Sequence, residues 1–141
     1  MLVSPDDGGY PINLEKLGRK PLYFSFNKEE MNIEDKKAKE LILKEKPKLI
    51  IFGQSLFLFP HPVKELSEVA EKIGATITYD GSHVLGLIAG GVFQDPLREG
   101  AQILFGSTHK TFPDPQGGII IGSGEEEEKT LGSLRLSNST C

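Results

Sequence analysis

The sequence predicts an α/β fold: a mostly parallel sheet flanked by helices. Three observations point to it. Apolar runs of strand length alternate with amphipathic stretches of helix length between residues 21 and 106. The continuous run Lys48-Leu49-Ile50-Ile51-Phe52-Gly53 has the character of a strand buried on both faces. Strand-like segments 102–106 and 118–122 are joined by only 11 residues, Ser107 to Gly117. That is too short for a parallel crossover, so these two are expected to pair antiparallel.

Taken in order, Pro21-Leu22-Tyr23-Phe24-Ser25-Phe26 reads as a strand with aromatic residues at alternate positions. Asn32 is placed as a helix N-cap. The helix runs from Ile33 to about Lys46, with Ile33, Ala38, Leu41 and Ile42 on its apolar side and Pro47 ending it. After the strand at 48–53, Pro62 occupies the first helical position. Val63, Leu66, Val69, Ala70 and Ile73 follow at helical spacing, and Gly74 closes that helix. Ala75 to Asp80 is a strand ending on a carboxylate. Val84 to Ala89 is a short apolar piece of helical character, and Gly90 to Gly100 a loop.

The 141 residues are expected to form one domain over 1–123, with a polar, flexible tail over 124–141 that opens on Glu125 to Glu128. A net charge of -4 with no basic stripe argues against a nucleic-acid ligand. No apolar run reaches the roughly 18 residues of a membrane span. The N-terminus lacks the basic and apolar regions of a signal peptide. The single Cys141 excludes an internal disulfide and a cysteine-built metal centre. His61 has no clustered partners for a metal, so no metal site is expected, and a reducing cytoplasm is the simplest location. Gly86, Gly90 and Gly91 do not fit Gly-x-Gly-x-x-Gly after a strand, which removes a dinucleotide site.

In open α/β sheets, ligands sit at the carboxyl ends of the strands. Ser55 follows one such end, Asp80 closes the next with His83 three residues on, and Thr108, His109 and Lys110 follow a third. A carboxylate stabilises a neighbouring cationic nitrogen. An imidazole can lie against a flat ring, and an enclosed lysine can form a Schiff base with an aldehyde. Together these are the parts that hold pyridoxal phosphate, whose protonated ring is an electron sink. Each has a plainer use as well: Asp80 can cap the turn at Ser82, His83 can be a packed histidine, and Ser55 a turn residue.

The stretch Tyr79-Asp80-Gly81-Ser82-His83-Val84-Leu85-Gly86-Leu87-Ile88-Ala89-Gly90-Gly91-Val92, followed by Ser107-Thr108-His109-Lys110-Thr111 and Gly117-Gly118, resembles serine hydroxymethyltransferase, a family of the fold-type I pyridoxal-phosphate enzymes. Lys46 to Ser55 shares the likeness, which covers about Lys46 to Gly122 in the middle of the family's large domain. The resemblance implies that Lys110 is the Schiff-base lysine, that Asp80 pairs with the pyridine nitrogen and that His83 stacks on the ring. It places Thr108 and His109 along the site and Ser55 near the ring hydroxyl. It implies one-carbon transfer between serine and glycine with tetrahydrofolate or a related pterin as co-substrate, and a homo-oligomer with sites at a dimer interface. The family's phosphate-binding loop, substrate-gripping arginine and small domain find no counterpart, so the resemblance is to an incomplete chain, with the tail from Gly124 read as the product of truncation or a frameshift. Asp114 stands where the family has a glycine, adding a side chain to an expectedly crowded backbone. Two other readings stand beside this one: another fold-type I aminotransferase or lyase, and an inactive fragment or assembly subunit.

Overall fold

The computed structural model describes residues 1–10, 16, 18–56 and 58–122. The tail expected over 124–141 lies outside the described residues. A 3-10 turn at Pro5–Asp7 is followed by β1 (Phe26–Asn27), β2 (Asn32–Ile33), α1 (Asp35–Glu45), β3 (Leu49–Phe52), α2 (Val63–Lys72), β4 (Thr76–Asp80), α3 (Leu85–Ala89), β5 (Ile103–Ser107) and β6 (Gly118–Gly122). The main sheet has the order β3-β4-β5-β6. β3, β4 and β5 run parallel, and β6 pairs antiparallel with β5 from Ile103↔Gly122 to Ser107↔Gly118. The mostly parallel sheet with one antiparallel member is the architecture the sequence predicts.

The N-terminal residues extend this sheet. The Met1 amine donates to the Leu49 carbonyl at 2.7 Å, and the Ile51 N–H donates to the Met1 carbonyl at 2.8 Å. On the other side of Met1, Leu2 exchanges backbone bonds with Leu22 and Phe24. The strand expected over 21–26 is therefore reduced to a single bridge, Leu2↔Tyr23, and to the two residues of β1. The chain then turns tightly: Asn27 Oδ1 accepts from the N–H groups of Glu29 and Glu30, and Met31 takes φ 50°. Phe24 stacks on Phe52 with ring centroids 5.4 Å apart, joining this segment to β3.

Asn32 is not the N-cap of α1. Its Oδ1 accepts from the Ile33 N–H and its Nδ2 donates to the Pro60 carbonyl, so the side chain is spent on β2 and the 60s loop; Glu34 holds the cap position without a side-chain bond. Pro62 sits at the cap of α2, one place before its expected position, and Gly74 ends the helix with φ +68°. α1 packs on α2, and α2 on β4. The core includes Ile42, Ile50, Phe52, Val63, Leu66, Ile77 and Tyr79, all fully buried. Each contributes about 1.5–3 kcal/mol by leaving water. β3 is not buried on both faces: Ile50 and Phe52 are buried, Ile51 is half-buried and Leu49 is 43% exposed. Ile50 and Phe52 thus face the core, while Leu49 and Ile51 border a shallow groove shared with Arg19, Lys20 and Leu22.

Candidate functional site

The three parallel strands end side by side. Phe52 pairs with Tyr79 and Asp80 with Phe105, so the residues just beyond β3, β4 and β5 share one rim of the sheet. A cleft of about 240 Å³ opens there, lined by Tyr10, Gln54, Ser55, Asp80, Ser82, His83 and Lys110. Four residues picked out from the sequence, Ser55, Asp80, His83 and Lys110, are thus brought together from three chain segments.

Two glycines make the convergence possible. Gly53 leaves β3 at φ +120°, and a Cβ built on it would overlap the Asp80 carbonyl oxygen and lie 2.8 Å from the Asp80 Cβ. The backbone after β3 therefore comes closer to Asp80 than any side chain allows. Gly86, in the first turn of α3, abuts the lysine loop in the same way: its Cβ would overlap the Thr111 carbonyl, and its N–H donates to Thr111 Oγ1 at 3.2 Å. This close approach sets His83, just before α3, against the loop that carries Lys110. Lys110 Nζ lies 3.1 Å from His83 Nε2. Burial first, and the neighbouring Lys110 charge second, hold the His83 imidazole below its ordinary pKa, with Asp80 opposing. The ring accordingly stays neutral at neutral pH and its Nε2 accepts from the ammonium.

Asp80 has the capping role as well as its place in the cleft. Its Oδ1 accepts from the Ser82 N–H at 3.0 Å, which turns the chain toward His83, and its Oδ2 has no partner among the described residues. The turn is fastened to β5, where Ser82 Oγ accepts from the Ser107 N–H at 3.2 Å. Ser55 is set by its N–H, which donates to the Gly8 carbonyl at 2.7 Å and so carries the N-terminal loop, with Tyr10, to the cleft.

Thr108 and His109, expected along the site, do not line the cleft. Thr108 is buried and its Oγ1 donates to the Pro115 carbonyl at 2.7 Å, closing the loop that presents Lys110. His109 is exposed beside it. Asp114 is exposed too, takes no positive φ and donates its N–H to the Thr108 carbonyl at 3.0 Å. The crowded backbone expected there is not found.

Sequence reasoning missed Tyr10, Gln54 and Ser82. Gln54 was within reach of the strand-end rule, standing between Gly53 and Ser55, and Ser82 lies inside the Asp80–His83 stretch. Tyr10 had no local signal, since only the long-range bond from Ser55 brings it in. Among the described residues no group of three or more His, Cys, Asp or Glu side chains could hold a metal ion. No helix there is long and apolar enough to cross a membrane.

The chain is 68% identical over 96 residues to serine hydroxymethyltransferase of Methanothermobacter thermautotrophicus, 68% of this chain and 23% of that one. It is 54% identical over 135 residues to the enzyme of that name from Methanocaldococcus jannaschii, covering 92% of this chain and 31% of the other. It thus spans 23–31% of the length of these relatives. Among solved structures it resembles L-threonine transaldolase from Pseudomonas fluorescens in its internal aldimine state: TM-score 0.85, 33% identity, 97% of this chain and 32% of that chain. The fold is accordingly that of a fold-type I pyridoxal-phosphate enzyme. The family model for serine hydroxymethyltransferase matches residues 9–133, beyond the 46–122 on which the sequence motifs rest and into the segment from 124. With its motif residues gathered at one sheet rim and most of its length matched, the chain belongs to the serine hydroxymethyltransferase family.

Proposed function

We propose that the cleft holds the ring of pyridoxal phosphate and that the chain carries the ring-binding part of a serine hydroxymethyltransferase centre. The proposed reaction interconverts serine and glycine, with tetrahydrofolate or a related pterin carrying the one-carbon unit, in the cytoplasm. The observation that carries this reading is the meeting of Asp80, His83 and Lys110 around one cleft. The donor set fits the cofactor: a carboxylate with a spare oxygen, a neutral flat imidazole and an amine. Pyridoxal phosphate, when bound, supplies an aldehyde for the amine and a protonated ring that withdraws electrons from the substrate's α-carbon.

In this reading Asp80 Oδ2 holds the ring nitrogen in its protonated state, because an adjacent negative charge favours the cation. His83 would offer its ring face to the bound ring, and its Nε2, 3.1 Å from Lys110 Nζ, would orient the amine toward the aldehyde. Ser55 lies close enough to the same wall to meet the ring hydroxyl. Thr108 acts at one remove, holding the Lys110 loop in place, and His109 stands exposed on the same loop. The cleft is smaller than the roughly 300–1,000 Å³ of ligand pockets in general. Among its lining residues Lys110 is the one cation, so a phosphate finds no arginine there. Binding by this chain is therefore expected to be weak.

The test is spectroscopic. Titration of the chain with pyridoxal phosphate is expected to give a visible absorbance band that borohydride fixes covalently, and Lys110→Ala is expected to abolish it. A band that survives Lys110→Ala sinks the assignment. A second reading is favoured by the likeness to the L-threonine transaldolase: another fold-type I reaction on a hydroxy amino acid. Comparing serine and threonine as substrates, with and without tetrahydrofolate, separates the two. A chain that shows the absorbance band and turns over neither supports a cofactor-binding subunit without catalysis of its own.

A further inference from the structure

The groove beside β3 lies outside the cleft, toward the opposite end of the sheet. Three chain segments run parallel there: residues 22–24, residues 1–3 and β3. They are tied by the Leu2↔Tyr23 bridge, by the Met1 amine on the Leu49 carbonyl and by the Ile51 N–H on the Met1 carbonyl. Parallel segments begin at the same end. Arg19 and Lys20, just before the first, and Lys48, just before the third, therefore stand on the two flanks of one groove of about 440 Å³. Met1, Leu22, Leu49 and Ile51 supply its apolar lining. The three cations are exposed, and none is in an ion pair among the described residues, whereas Lys37, Lys39 and Lys44 each have a carboxylate neighbour. No acidic residue lines the groove among the described residues, although the chain carries a net charge of -4.

We propose that this groove docks an acidic segment of a partner protein, with carboxylates meeting Arg19 and Lys20 on one flank and Lys48 on the other, and an apolar side chain between them on Leu22, Leu49 and Ile51. Nothing in this depends on the cofactor cleft. Charge decides the sign of the occupant. A second copy presenting the same face would set Arg19, Lys20 and Lys48 against their own counterparts, and like charges juxtaposed across an interface are strongly unfavourable. Width decides its size. Residues 22–24 and β3 flank residues 1–3, so their backbones stand about 10 Å apart, two strand spacings. A single carboxylate or phosphate does not bridge that width. A peptide with carboxylates on both sides of an apolar residue does, since residues four apart in an extended segment share a face and lie about 13 Å apart.

The experiment titrates the full chain into a fluorescein-labelled peptide in which glutamates alternate with leucines at every second position of one face, and follows anisotropy. The control peptide has glutamine in place of each glutamate. The wild type is expected to bind the acidic peptide at least about tenfold more tightly than the control, since each exposed ion pair contributes up to about fivefold. Most of that difference should vanish between about 0.1 M and about 1 M salt, as the screening length falls from about 10 Å to about 3 Å. Arg19→Glu combined with Lys48→Glu is expected to weaken the acidic peptide at least about tenfold, because reversal adds repulsion to the lost pairs. Leu49→Ser, which removes apolar surface and no charge, should weaken both peptides alike. A reversed variant that binds the acidic peptide as the wild type does overturns the proposal, since binding then lies elsewhere on the chain. Equal affinity of the wild type for the two peptides overturns it as well, and that comparison needs no variant to fold. Failure of the wild type to bind either peptide also overturns it; should charge reversal then alter self-association in sedimentation, the occupant is a second copy.

Discussion

Gly53 shows how one residue without a side chain sets the position of one with a charge. Its φ of +120° lies in a region that costs other residues about 1–3 kcal/mol. An added Cβ would also overlap the Asp80 backbone. Gly53→Ala is therefore expected to lower stability to urea by about 3 kcal/mol, the strain and the overlap adding, and to displace Asp80, so that the pyridoxal-phosphate band weakens more than the loss of fold explains. Wild-type stability and band in Gly53→Ala would contradict this account. At this scale the sequence was legible where chemistry and strand ends coincide: Ser55, Asp80, His83 and Lys110 each follow an apolar run, and the topology brings such ends together. It was not legible for Tyr10, which reaches the cleft through a backbone bond spanning Gly8 and Ser55. Nor could it separate Lys110 from its neighbour His109, since two adjacent loop residues face different ways and no periodicity records which.

Between elements, polar side chains replace the apolar contacts that periodicity reveals. Gln94 Oε1 accepts from Tyr79 Oη at 2.7 Å and from the His61 N–H at 2.8 Å, and Gln94 Nε2 donates to Glu99 Oε2 at 2.6 Å. His61 Nδ1 lies 3.2 Å from Asn32 Oδ1. This set ties β4 to the loops before α2 and before β5, and it explains why Asn32 is not a cap and why His61 is more than a loop residue. Burial pushes the His61 imidazole down to about 3 from its ordinary 6.5. The unfolded chain thus binds a proton in that interval that the folded chain refuses, and stability falls as pH drops from 6.5 toward 3. The slope reaches about 1.4 kcal/mol per pH unit. Between pH 7 and pH 5 the wild type is expected to lose about 2 kcal/mol more than His61→Gln, read from urea midpoints at each pH. Parallel pH profiles for the two proteins would show that His61 is not the group responsible. Helix and strand periods located α2, β4 and β6 to within a residue or so. They failed at β1 and at the start of α1, where pairing with residues 1–3 and the Asn32 side chain decide the boundaries.

For the molecule as a whole, the sheet's coverage is uneven, and this follows from where the helices pack. β6 ends the order β3-β4-β5-β6, and its three isoleucines are 36–40% exposed. Opposed residues of an antiparallel pair share a face, so Ile120 lies with Phe105 while Ile121 lies with Leu104 on the other side. An apolar edge strand with partly bare faces is a template for association, and natural edges often carry a lysine that prevents it. Leu49 and Ile51 repeat the pattern at the other flank of the sheet, and Val92 is 73% exposed. The chain is therefore expected to self-associate in solution. Ile120→Lys places a charge where a neighbouring strand would pair and should raise the dissociation constant of the assembly at least about tenfold, or 1.4 kcal/mol. Because the position is already partly in water, the substitution should change the stability of the monomer by no more than about 0.5 kcal/mol. Sedimentation across a concentration series measures the first effect and urea denaturation of dilute protein the second. If Ile120→Lys associates as the wild type does, β6 is not the adhesive edge; if it unfolds, the isoleucine is core and its exposed area is not an interface.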